Sequence, residues 1–211
     1  MSTSWPVWAA FVAASGVLAV TPGPGVLYIV TRTLSQGRRA GLASVAGVAL
    51  GNFGNALAAS LGLAALLALS SAAFDAIRLA GAAWLVWLGI QALRTPAVDD
   101  GNGADPGPAD RVLRDGVVVA LLNPKTALFF GAFLPQFIDP RTASPSQSVW
   151  FGLAFVAIAA CTDTVYVLAA AAVAPLLAGL RRASAWGRWL TGAIYLGLGL
   201  WAAFSDLRVR R

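Results

Sequence analysis

Six apolar runs, separated by short polar segments, account for most of the chain. They cover residues 5–30, 40–74, 77–93, 117–138, 149–180 and 189–204. A helix needs about 20 residues to cross roughly 30 Å of hydrocarbon, so the runs predict six transmembrane helices. They are continuous rather than alternating, and Ala and Gly dominate over Val, Ile and Thr. That favours helices over barrel strands. The 40–74 and 149–180 runs are long enough to tilt or to project beyond the bilayer. Small residues recur four apart, at Gly47 and Gly51 and again at Ala58 and Gly62. Such spacing lets backbones approach closely, but chance also supplies it in any Gly- and Ala-rich span. Residues 1–31 hold no charge; without a basic leader, no signal peptide is expected.

The polar segments divide the chain. Residues 95–115 hold five of the nine Asp, with Gly, Pro and Asn, and read as an exposed linker. On either side the sequence resembles itself. Val17-Leu18-Ala19-Val20-Thr21-Pro22 aligns with Val119-Ala120-Leu121-Leu122-Asn123-Pro124 at an offset of 102. Gly81-Ala82-Ala83-Trp84-Leu85 aligns with Gly192-Ala193-Ile194-Tyr195-Leu196 at an offset of 111, which also sets Asn52 opposite Asp163. The expected organisation is therefore a three-helix repeat over 1–94, a linker over 95–115 and a second repeat over 116–211. Three is odd, so the two units must cross the membrane in opposite orientations, an architecture that places a substrate site where they meet.

Composition narrows the class. Hydrophobic residues make up 58% of the chain and charged ones 11%, with a mean hydropathy of +0.74. A soluble domain carries roughly 25% charged residues, so an ordinary globular fold, a disordered tail and a fibrous repeat are excluded. Net charge is +6, but the arginines cluster between apolar runs, as membrane-flanking charges do. That argues against a nucleic-acid partner. With the N-terminus outside, nine arginines fall in cytoplasmic loops and five outside, which favours both termini outside. The single Cys161 cannot form an intramolecular disulfide and reads as a small core residue.

Two charges lie deep in apolar runs, where each costs about 2.5–3.5 kcal/mol to insert. Lys125 sits about 12 Å along the fourth run, and Asp163 lies near the middle of the fifth. The pair reads either as a structural clamp between two helices or as a substrate and proton site. Lys125 is the only lysine among fourteen arginines, which points to a need for a compact ammonium. A carboxyl in a low-dielectric interior takes up a proton more readily than in water, which suits proton exchange near neutral pH. Pro22, Pro24 and Pro124 interrupt their helices, and the helix restarting after each break offers free N–H groups to a carboxylate. Gly23 and Gly25 allow close approach to the backbone. Thr21, Asn52, Asn55, Asn123, Thr126, Thr162 and Thr164 add uncharged polar atoms at similar depths. No His, Glu, Cys pair, nucleotide loop or metal-ligand cluster is present, so an enzyme, a cofactor, a metal and ATP-driven transport are not expected.

These residues resemble the lysine exporter (LysE/RhtB) family of bacterial amino-acid translocators. Thr21-Pro22-Gly23-Pro24 and Gln36-Gly37-Arg38-Arg39-Ala40-Gly41 are similar to its first helix and following loop. Gly81 to Gly89 is similar to its third helix. Asn123-Pro124-Lys125, Ala127 to Phe130 and Leu134-Pro135-Gln136-Phe137 are similar to its fourth, and Asp163 falls where its fifth often has an acid. Gly25 replaces a common Asn, and Asn52 stands where an Asp is frequent. The resemblance implies proton-motive-force-driven export of an amino acid, zwitterionic or neutral with a basic one left open, across the bacterial inner membrane. In that reading the partners are the amino acid, protons and the lipid bilayer, with a homodimer left open. The substrate carboxylate approaches Lys125 and the helix ends after Pro22 and Pro124, and its ammonium approaches Asp163. A membrane-embedded structural or assembly protein and a small-ion channel are the alternatives.

Overall fold

The computed structural model describes residues 5–61, 71–94, 109–138, 145–181 and 184–204. Among them every regular element is helical. In chain order these are α1 (Trp5–Val20), α2 (Pro24–Ser60), α3 (Ser71–Arg94), α4 (Ala109–Leu121), α5 (Pro124–Leu128), a π turn (Phe129–Phe133), a 3-10 turn (Leu134–Phe137), α6 (Pro145–Arg181) and α7 (Ser184–Phe204). α4 starts inside the segment read as linker, whose earlier part lies outside the described residues.

The first apolar run is split at Thr21-Pro22-Gly23-Pro24. Thr21 N–H closes the last turn of α1 on the Val17 carbonyl at 3.1 Å. Pro24 has no N–H to continue the ladder and instead occupies the first turn of α2, where none is needed. The fourth run is split in the same way at Asn123-Pro124, and Asn123 caps α5 by accepting from Lys125 N–H at 3.1 Å.

α2 is not one rod. Gly37 has φ 85° and ψ 177°, a conformation that a side chain would strain. The chain reverses there, because Gly41 packs on the Thr33 side chain and Gly25 faces Val48. Residues 24–36 and 38–60 are thus the two arms of a helical hairpin. This is the position of the Gln36-Gly37-Arg38-Arg39 loop expected from sequence.

Packing depends on small residues. A methyl on Gly47 would overlap the Leu113 carbonyl, and one on Gly51 would lie 2.6 Å from the Ala120 Cβ, so the second arm of α2 presses backbone to backbone on α4. Gly152 of α6 meets Ala56 of the same arm. α3 and α7 pair through Gly89, Gly192 and Gly199. The Gly47/Gly51 spacing is therefore a contact face, whereas Gly62 lies outside the described residues. An aromatic cluster of Phe11, Phe129, Phe130, Phe151 and Phe155 ties α1 and the π turn to α6. Trp5, Val17, Trp150, Val165, Leu176 and Trp189 stand more than half exposed on the outside. Such an apolar exterior suits a bilayer.

Two helices, Pro24–Ser60 and Ser146–Leu176, are long and apolar enough to cross a membrane, and the hairpin divides the first of them. Shorter apolar helices are Trp5–Val20, Leu79–Arg94 and Thr191–Leu200. Cys161 is exposed, which corrects its reading as a core residue. Asp163 points inward, and a helix turns about 200° over two residues, so Cys161 is carried to the outer face.

A cavity between two broken helices

The breaks in the first and fourth runs meet, with Pro24 and Pro124 bordering one space. A small apolar void is lined by Pro24, Pro124, Gly81, Ala82, Leu85, Val119 and Leu122. Beside it lies a cavity of about 40 Å³ whose polar walls are Asn52, Asn123, Lys125, Thr126 and Asp163, with Gly23 and Gly25 on one side. Apolar contributions come from Leu18, Val26, Val48 and Phe155, among others. The space suits water rather than an amino acid.

The candidate residues divide by position. Gly23, Asn52, Asn123, Lys125 and Asp163 line the cavity, and Pro24 and Pro124 form the void behind it. Thr21 and Pro22 are exposed. Thr21 contributes its main-chain carbonyl, while its hydroxyl bonds back to Val17 at 2.7 Å. Asn55 donates to the Ala120 carbonyl at 2.9 Å and so fastens α2 to α4. Thr162 and Thr164 bond carbonyls of their own helix.

Lys125 and Asp163 form no ion pair. The Lys125 ammonium donates instead to the Leu18 carbonyl at 2.6 Å and the Thr21 carbonyl at 2.5 Å. Tyr166 donates to Val20 at 2.7 Å. These bonds satisfy main-chain acceptors that the Pro break orphans, and the cation lies at the negative end of α1. Asp163 faces Lys125 across the cavity within electrostatic reach. It is buried, and among the described residues it makes no hydrogen bond. Asn52 is buried too, and its Oδ1 has no partner. Two buried residues of the lining thus offer open acceptors. Gly23, also in the lining, caps α2 without a side-chain bond, and Lys125 Nζ lies beside it. The second helix start differs, because Asn123 already fills the Lys125 N–H.

A second polar cluster escaped the sequence reading. Arg32 donates to Asp115 at 2.9 Å and to Gln36 at 3.1 Å, and Tyr28 donates to the Val112 carbonyl at 2.8 Å. The Tyr195 hydroxyl lies 3.4 Å from the Tyr28 carbonyl. Arg32 reads as a loop charge and Asp115 as the end of a linker. The available signal was spacing: Arg32 is one helical turn before Gln36 and one after Tyr28.

No solved structure matches the chain significantly. A family model described as LysE type translocator matches residues 16–205. A homoserine/homoserine lactone efflux protein of Salmonella typhimurium is 30% identical over 200 residues, covering 94% of this chain and 96% of its own. An uncharacterized membrane protein of Vibrio cholerae is 32% identical, over 92% and 95%. A leucine efflux protein of Klebsiella pneumoniae is 26% identical, over 85% and 86%. With the match covering every residue that lines the cavity, the chain belongs to the LysE type translocator family, whose members are membrane transporters and not enzymes.

Proposed function

We propose that this protein exports an amino acid with an uncharged side chain across the bacterial inner membrane, driven by proton entry. The observation that carries the reading is the cavity, whose lining holds both open acceptors and donors. A zwitterion carries the complementary groups. Its ammonium meets Asp163 and Asn52 Oδ1. Its carboxylate meets Lys125 and the uncapped start of α2 at Gly25 and Val26. The names of the Salmonella and Klebsiella relatives, for homoserine and leucine efflux, support a substrate of this class.

Proton coupling rests on Asp163. With the substrate ammonium present the carboxylate is ionised; after release, burial favours the protonated form. Asp163→Asn keeps the shape and mimics the second state. In vesicles with an imposed pH gradient it should stop net export while substrate exchange continues. Net accumulation driven by the gradient in Asp163→Asn would refute the assignment.

Multi-pass insertion as two inverted three-helix units, 1–94 and 116–211 joined by 95–115, is part of the same proposal. Reciprocal packing supports it. The first helix of each half, α1 or α4, packs on the second of the other, α6 or the 38–60 arm, and α3 pairs with α7. Asn52 and Asp163, matched by the repeat, line one cavity.

A second reading has its own observation: Lys125 holds the end of α1, as a purely structural residue would. Lys125→Met separates the two. Normal membrane levels with export lost support the substrate role, and loss of the protein from the membrane supports the structural one.

A further inference from the structure

The Arg32 cluster has no part in the proposed binding site, yet it holds the helix that starts at that site. Residues 24–36 lie between two interruptions, the Thr21–Gly23 break and the reversal at Gly37. The amino end of this arm supplies Gly25 and Val26 to the cavity wall. About 12 Å along it, Arg32 reaches Asp115 on α4. Between these points Ile29, Val45, Tyr28 and Tyr195 are buried in one packed cluster.

We propose that the 24–36 arm is a hinged gate on the Gly37 side of the cavity, and that Arg32, Asp115 and Tyr28 are positioning residues that hold it closed against α4. The inference rests on the transport reading above. An apolar contact could hold two helices as well, because burying an ion pair costs desolvation that the attraction only offsets. The Asp115 side chain is 1% exposed and that of Arg32 14%. The cluster is also incompletely satisfied. Arg32 Nε has no hydrogen-bond partner, and Asp115 Oδ1 has only Arg114 at 3.8 Å. A partly satisfied polar contact of this kind can hold and still release. Gly37 supplies a backbone that can turn at the far end, and the Pro break frees the near end. Swinging the arm would draw Gly25 and Val26 from the cavity and lift Gly23 away from Lys125.

The test is thiol accessibility in the full-length protein. A cysteine replaces Val26 in a Cys161→Ala background, and an impermeant thiol reagent is applied to right-side-out or inverted vesicles. From the face carrying Arg38 and Arg39, Arg32→Gln and Tyr28→Phe should each raise the labelling rate about tenfold, as a closed population shifts to open. Labelling from the other face should not rise. Arg32→Lys, which keeps a cation beside Asp115, should label like the parent. Tyr28→Phe keeps the ring and its packing, so it answers even if Arg32→Gln does not insert. Unchanged labelling in Tyr28→Phe, or an equal rise from both faces, overturns the gate. Labelling needs no substrate. Altered labelling in a protein that exports nothing would keep the gate and refute the export reading.

Discussion

The central cavity and the Arg32 cluster are both polar islands in an apolar protein, and they treat their polar groups in opposite ways. In the cluster, opposite charges touch: Arg32 and Asp115 are 2.9 Å apart, and both tyrosine hydroxyls point at carbonyls. In the cavity, Lys125 and Asp163 face each other unpaired, and Asn52 Oδ1 is left open. Buried polar groups are normally bonded, so each exception calls for a cause. A contact made to hold pairs its charges within the protein, even with Arg32 Nε and Asp115 Oδ1 left over. A site made to receive a zwitterion must leave its partners to the ligand.

If that contrast is right, cluster substitutions act on stability and on the closed state of the 24–36 arm, and cavity substitutions act on substrate binding and coupling. The largest expected effect is Arg32→Ala, which leaves Asp115 buried without its cation and should cost roughly 3–5 kcal/mol. Thermal unfolding in detergent would read this as a lowered midpoint or a loss of folded protein. An unchanged midpoint would mean that the pair holds nothing. Next comes Asp163→Asn, with net export reduced by about a hundredfold or more, the scale of losing a buried charge contact. Its unfolding midpoint should stay at or above the parent's, because a neutral amide is cheaper to bury than a carboxylate. A large fall in stability with transport intact would reverse the roles of the two regions.

Asn52→Leu should weaken apparent substrate affinity by about tenfold, the value of roughly one hydrogen bond to a charged group. The maximal export rate should be nearly unchanged. Export assayed over a range of internal substrate concentrations separates the two parameters. The smallest effect is Tyr195→Phe. Its hydroxyl has a long 3.4 Å contact with the Tyr28 carbonyl and lies beside Arg32, so a loss of about 1 kcal/mol is expected, with no change in substrate preference. A shift in preference would extend the binding site into the cluster.

Much of the cavity was legible because charge is scarce in this chain. Lys125 and Asp163 stand out in uninterrupted apolar runs, and the two Pro-containing breaks follow from the missing N–H. The repeat set Asn52 opposite Asp163, and both reach the same space. The Lys125–Asp163 clamp was a fair expectation, because opposite charges in lipid usually pair. What it could not include was the set of carbonyls freed at the end of α1. They compete for the same ammonium from over a hundred residues earlier in the chain.

Local sequence was sufficient wherever the constraint was local. Hydropathy specifies apolar helices, Pro and Gly specify where they break, and Gly37 specifies the reversal between the arms of α2. The partners of the buried polar groups were a different matter. Arg32 and Asp115 look like ordinary flanking charges, and only the packing of the 24–36 arm on α4 takes both out of water. Cys161 and Asp163 lie two residues apart on one helix, but one faces outward and the other a cavity. Burial and pairing depend on which surfaces of distant helices come into contact. The Gly and Ala faces that govern that contact carry little information in their composition and much in their three-dimensional fit.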